Sequence, residues 1–359
     1  MNIASIIEQF REPFLRKYGH QLLPGQLRAL DAITACKTRC GHFTCRCGHC
    51  HHTQSHALSC GHRSCPRCQN AAASQWLYRQ QQKLIPAEYF MVTLTIPEQL
   101  RGLFYRHQHR TYTLLFEAAV EALKQLGLDK RHMGGELGMT AVLHTHTRRL
   151  DYHPHLHVVI PAACVTDKGK TFYRKDRHYF IRGDVIAKLF RGKLLYRLFD
   201  EGFIVPEDLP DQWITHVKHI GKGLPALQYL SRYLYRGVLS EKAIVNIDNT
   251  QVTFRYQDSQ TRKMTTRSLS GEDFIWKLLT HVLPRRFRRV RDFGFLHHNA
   301  KKKLTFIQYL LGVKSVPSNP PTKKPIRCQQ CEQATEIIAI FPLRIPINFR
   351  YMRTAVQNE

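Results

Sequence analysis

The sequence predicts an α+β protein, with an N-terminal zinc-ribbon-like module followed by an antiparallel sheet that carries helices on one face. Three observations lead there. Eight cysteines crowd between Cys36 and Cys68, in a stretch too rich in sulfur and too poor in aliphatic side chains to build its own apolar core, so a metal has to hold it. Farther on, strand-like stretches alternate with helical ones, and two consecutive strands can close as a hairpin. A length of 359 residues with 43% apolar content is enough for two domains. The expected division is residues 1–85 for a helical lead and the cysteine module, 86–303 for the sheet domain, and 304–359 for a basic, proline-containing linker and tail.

Each element has a local reason. Ile3, Ile6, Ile7, Phe10 and Phe14 recur at helical spacing, and "LPGQLRALDAI" restarts a helix after a Pro-Gly turn. Residues 70–85 are helical by composition, and Pro86 stops them just before the strand 89–96. A helix over 106–126, strands at 139–147 and 155–162, a helix at 183–200, a strand at 213–220 and a helix at 224–236 follow. Strands at 243–247 and 251–257 and a helix at 271–281 complete the domain, and "VPSNPPTKKP" reads as a linker.

Charge narrows the function. Lys and Arg number 54 against 27 acidic residues, a formal +27, which favours a polyanionic partner, nucleic acid before an anionic membrane surface. No run of 18 apolar residues could span a bilayer, and the N-terminus places charges where a secretory signal needs an apolar stretch. The expected location is the cytoplasm, where cysteines stay reduced and their grouping points to metal rather than disulfides.

Cys47-x-x-Cys50 and Cys65-x-x-Cys68, 14 residues apart, have the paired-knuckle spacing with which four thiolates surround one structural zinc. Such a site is closed to water, so its role would be folding and DNA docking. Cys36, His42 and Cys60 are spare donors for a further ion. Cys328-x-x-Cys331 supplies only two ligands and is either a half-site or two ordinary thiols.

In "HPHLHVVIPA" strand alternation puts His155 and His157 on one face while Leu156 and Val158 enter the core. A hairpin through "RRLDYHP" would bring His144 across the sheet as third donor, with His153 as the rival. Three imidazoles with open positions describe a catalytic ion able to polarise a phosphate oxygen. On the wheel of residues 224–236, Leu227, Leu230 and Leu234 form one stripe, and Tyr229, Arg232, Tyr233 and Arg236 lie on the far side. Guanidiniums beside a phenol favour its phenolate, so these tyrosines can serve as nucleophiles; alternatively, they stack on bases. Arg232 and Arg236, with Arg285, Arg286 and Arg288 of the basic run, are candidate DNA contacts.

Taken together, "CGHC", "SCGHRSCPRCQ", "YFMVTLTIPEQL", "LHTHTRRLDYHPHLHVVIPA", "YLSRYLYR" and "FIWKLLTHVLPRRFRRVRDFGF" resemble, in order, the two-tyrosine HUH transposases of rolling-circle insertion sequences typified by insertion sequence 91. The resemblance runs from about Cys36 to about Lys303; beyond Cys331 the chain departs from the family pattern. It implies a zinc-binding domain ahead of an HUH nuclease fold that cuts single-stranded DNA, using His155 and His157 with Mg²⁺ or Mn²⁺ and Tyr229 and Tyr233 as nucleophiles. A plasmid replication initiator or relaxase would share the histidine strand and tyrosine but not the cysteine-rich front. A zinc protein that only binds DNA would not need both histidines and both tyrosines.

Overall fold

The computed structural model describes residues 2–68, 70–166, 171–174, 180–225, 227–228, 238–258, 261–313 and 325–343. Helix α1 (Ile3–Tyr18) starts where the Asn2 side chain accepts a hydrogen bond from the Ser5 amide at 2.9 Å, and α2 (Pro24–Ala35) starts on a proline suited to a first turn. The cysteine-rich stretch forms a hairpin of β1 (Gly41–Cys47) and β2 (Thr53–Ala57), then α3 (Asn70–Gln81) leads into β3 (Tyr89–Thr95). The helix expected over 106–126 is two, α4 (Arg101–Arg106) and α5 (Gln108–Leu128), broken at His107. Next come β4 (Glu136–Leu137), β5 (Met139–His146), β6 (Tyr152–Pro161), β7 (Ala163–Thr166), β8 (Thr171–Arg174), α6 (Gly183–Asp200) and β9 (Thr215–His219). The remainder is β10 (Ile244–Ile247), β11 (Gln251–Gln257), β12 (Met264–Ser270), α7 (Gly271–Leu279), β13 (Val290–Phe293), α8 (Lys301–Leu310) and β14 (Thr335–Pro342).

The central sheet has five strands in the order β13-β5-β6-β3-β9, every neighbour antiparallel. Alternation sorts its two faces. Leu143, Leu156 and Leu94 share a row facing α5 and α6, where Tyr112, Phe116, Leu123, Phe190 and Leu194 complete the main core. On the opposite face Val142 and Val159 pack with Trp76, Leu304 and Ile307, and farther along that face stand the histidines.

A second core ties the N-terminal helices to residues far away in sequence. Ile6, Ile7, Phe10 and Phe14 of α1 pack with Phe254, Phe274, Ile275 and Leu279, beside the sheet β10-β11-β12. The β5–β6 loop is pinned to this layer, since Leu150 is buried in it and the Asp151 carboxylate accepts hydrogen bonds from Arg267 at 3.0 Å and Lys277 at 2.9 Å. That anchoring fixes the hairpin register on which the histidine site depends. Within the C-terminal segment, β14 pairs antiparallel with β1 and sets Gly41 opposite Pro342. Among the described residues no helix is long and apolar enough to cross a membrane.

Candidate metal centres

Three groups of ligand atoms converge among the described residues, with the atoms of each group within 4.8 Å of one another: Cys36, Cys60, Cys65 and Cys68; Cys47, Cys50, Cys328 and Cys331; and His144, His155 and His157. The expected set Cys47, Cys50, Cys65 and Cys68 is therefore not brought together. The reason is the hairpin. Cys47 and Cys50 sit at its tip while Cys60 lies beyond its open end, and a strand of this length separates the two by roughly 20 Å. Cys65 and Cys68 turn back instead onto Cys36, at the end of α2, with Sγ separations of 3.5 Å for Cys36 to Cys68 and for Cys60 to Cys68. His42 joins neither group; its ring stacks on Phe341 at 4.8 Å.

Four thiolates about 2.3 Å from one tetrahedral zinc stand about 3.8 Å apart, so the first cluster suits a structural zinc closely. Its protons show what an ion would relieve. Burial pushes Cys36 up to about 12, while hydrogen bonds, first from the Cys60 thiol, hold Cys65 down to about 5. The sulfurs share protons that a divalent cation would displace from all four.

The histidine group lies on the sheet face opposite α5 and α6. His144 pairs directly across from His155, and His157 is one step along β6 opposite Val142. Ring centroids are 4.6 Å apart for His144 and His157, 4.9 Å for His155 and His157, and 5.4 Å for His144 and His155. His153, the rival third donor, is not in the group. Its carbonyl instead lies 2.7 Å from the His155 Nδ1. The Thr93 hydroxyl lies 2.9 Å from the His157 Nδ1. Both contacts occupy the Nδ1 side and leave Nε2 of each ring to face the shared point, the orienting arrangement that metal-bound imidazoles use. Thr93 could have been found from the sequence only by pairing β3 with β6 in register. Burial lowers the basicity of all three rings, taking His157 to about 3 and His144 well below the ordinary histidine value, so each presents a neutral lone pair at neutral pH.

Both regions fall within spans that match known proteins. The transposase zinc-binding domain family matches residues 6–96, and a family described as "Putative transposase" matches residues 138–303. The first span holds the whole cluster of Cys36, Cys60, Cys65 and Cys68, and the second holds all three histidines. The chain is 32% identical over 350 residues to the "Putative transposase y4qJ" of Sinorhizobium fredii (strain NBRC 101917 / NGR234), covering 90% of this chain and 87% of that one. The chain belongs to the insertion sequence 91 family of transposases. A second relative, the transposase for insertion sequence element IS801 of Pseudomonas savastanoi pv. phaseolicola, is 26% identical over 307 residues, covering 78% of this chain and 73% of its own length. No solved structure matches.

Of the remaining expected residues of the transposase, Tyr229, Arg232, Tyr233 and Arg236 lie outside the described residues. Val238, described just after them, lines the same small cavity as His144, His146, His281 and Arg289. Arg285, Arg286 and Arg288 are exposed. Arg285 lies in an open groove with Arg28, Arg106 and Arg110, a concentration of positive charge that sequence distance concealed.

Proposed function

We propose that the transposase cuts and rejoins single-stranded DNA by tyrosine transesterification, with Tyr229 and Tyr233 as nucleophiles and His144, His155 and His157 as ligands of a catalytic Mg²⁺ or Mn²⁺. The convergence of three neutral imidazoles on one point of the sheet face carries this reading. When bound there, the ion would draw charge from a non-bridging oxygen of the scissile phosphate. A tyrosine phenol attacks phosphorus, its proton leaves, the bond from phosphorus to the 3′ oxygen breaks, and a 5′-phosphotyrosine and a free 3′-OH result. Because the phosphotyrosine keeps the phosphodiester's energy, a 3′-OH can reverse the step without ATP. A second tyrosine permits a second transfer before release.

The chain's own residues supply orientation. Thr93 and the His153 carbonyl set the rings of His157 and His155, and the excess of Lys and Arg holds phosphates without reading sequence. Transposases act on DNA, and the cytoplasm and its nucleoid are the natural setting. The test is a denaturing gel of protein linked to labelled single-stranded oligonucleotide in Mn²⁺. The Tyr229→Phe, Tyr233→Phe protein should form no covalent adduct while still binding DNA, since Phe keeps any stacking. An undiminished adduct overturns the assignment and points to Tyr235, and no adduct from the wild-type protein would leave only a DNA-binding zinc protein.

A further inference from the structure

We infer that the transposase holds a second structural zinc ion, bound by Cys47 and Cys50 of the N-terminal hairpin and Cys328 and Cys331 of the C-terminal segment, and that this ion clamps β14 onto β1. The sulfurs meet at single-ion distances, with 3.4 Å from Cys47 to Cys331 and 3.5 Å from Cys50 to both Cys328 and Cys331. A disulfide would need about 2.05 Å. A multi-iron cluster would hold its cysteines farther apart, because the metal core itself stands between them. Four thiolates with no imidazole or carboxylate select zinc over the harder divalent ions.

The two halves are built alike. In each, the residue just after the second cysteine is left-handed without being glycine, His51 at φ 58° and Glu332 at φ 59°, a conformation that L side chains disfavour. In each, that residue's amide donates to the carbonyl of the first cysteine, His51 to Cys47 at 3.1 Å and Glu332 to Cys328 at 3.0 Å. The first cysteine's amide then donates across the turn, Cys47 to His52 at 2.9 Å and Cys328 to Gln333 at 2.8 Å. Two strained turns of the same form, facing each other and aiming four sulfurs at one point, are what a shared tetrahedral ion requires.

Apolar burial cannot hold the tail strand in place. Ile337, Ile338, Ile340 and Phe341 of β14 are all exposed, so the strand contributes almost no core. What fixes it is the backbone ladder with β1 and the thiolate group, which closes a loop of some 280 residues between Cys50 and Cys328. Cys328 is nevertheless 2% exposed, and the Gln54 side chain of β2 brackets it, donating to the Arg327 carbonyl at 3.0 Å and accepting from the Gln329 amide at 3.0 Å. The spacing of Cys47 and Cys50 to Cys65 and Cys68 hides this pairing, because the ligands come from opposite ends of the chain.

The test counts zinc in the full-length protein by native mass spectrometry, in a His155→Ala, His157→Ala background so that the sheet face contributes none. Two zinc ions per chain are expected, and the further change Cys328→Ser, Cys331→Ser should remove one and only one. One ion before that change, or two after it, overturns the inference. Should the serine variant fail to fold, alkylation of the parent decides: Cys328 and Cys331 should resist a thiol reagent until a chelator is added, then react together with Cys47 and Cys50. Immediate alkylation of Cys328 and Cys331 in zinc-loaded protein would equally overturn it.

Discussion

Thr93→Val isolates the orientation of the histidine site without touching a ligand. Valine has nearly the shape of threonine and suits a strand, so β3 should keep its pairing with β6; what disappears is the hydroxyl 2.9 Å from the His157 Nδ1. That hydroxyl can accept from the Nδ1–H, which would hold the ring with its lone pair on Nε2. Without it, the buried ring is free to carry its proton on either nitrogen and to turn about χ2. A neutral hydrogen bond of this kind is worth about 0.5–1.5 kcal/mol, and loss of an orienting partner of a ligand typically weakens metal binding about 10–100-fold, equivalent to roughly 1.4–2.8 kcal/mol. The measurement is Mn²⁺ affinity of the DNA-free protein by electron paramagnetic resonance, followed by the Mn²⁺ dependence of adduct formation. Both half-saturation points should rise by that factor, with the adduct yield recovered at high Mn²⁺, and Thr93→Ser should stay close to wild type. Wild-type Mn²⁺ affinity in Thr93→Val would refute the reasoning, because His157 would then not depend on Thr93 for the lone pair it offers. His155 offers no comparable lever, since its orienting partner is a backbone carbonyl.

Two further outcomes test the scaffold. Gly271 opens α7 against α1, and a Cβ there would stand 2.1 Å from the Phe10 ring; Gly271→Ala should lower the unfolding free energy from urea melts by about 1–3 kcal/mol despite alanine's better helix propensity, and Phe10→Leu should recover part of it. Burial lowers His281 to about 4, so the unfolded chain, at about 6.5, binds the proton first; stability is fully present above that value and lost as pH falls towards 4, roughly 2 kcal/mol by pH 5 from this group. Urea melts of chelator-treated protein at pH 7 and pH 5 should show the loss, and His281→Gln should shrink it; an unchanged difference would assign the acid sensitivity to other groups.

The central sheet was legible because its strands obey one local rule. In β3, β5 and β6 alternate residues enter the core with α5 and α6, and the pattern can be read within a few residues. Strands whose partners are distant gave no such sign. β1 is cysteine-rich, β13 lies inside a basic run, and β14 is held by pairing with a strand almost the whole chain away. Which of His144 and His153 stands with His155 and His157 was a matter of register: a one-residue slip in the β5–β6 pairing exchanges the faces, and the loop anchored at Leu150 and Asp151 holds the register that sets His144 across from His155. Cysteine partners were unreadable for the same reason, since spacing ranks neighbours in sequence while a hairpin of a few residues separates them in space.

The first thiolate cluster and the histidine site are also mechanically one structure. Cys36 and Cys65 are buried in the core formed by α1, α2 and α7, and the loop that carries Cys60, Cys65 and Cys68 also carries Arg63 and Ser64. Those two residues line the cavity that includes His144, His146, His281 and Arg289, and the Arg63 guanidinium donates to the Phe287 carbonyl at 2.9 Å, two residues before Arg289. An ion at Cys36, Cys60, Cys65 and Cys68 would thus hold part of the wall beside the histidine-bearing face rather than a detachable DNA-docking module. Folding energy delivered by that ion would be spent within contact distance of the histidines. On this geometry, loss of the first zinc should disturb the orientation of the sheet-face site before it weakens DNA binding, since the groove that gathers Arg28, Arg106, Arg110 and Arg285 includes none of the four cysteines.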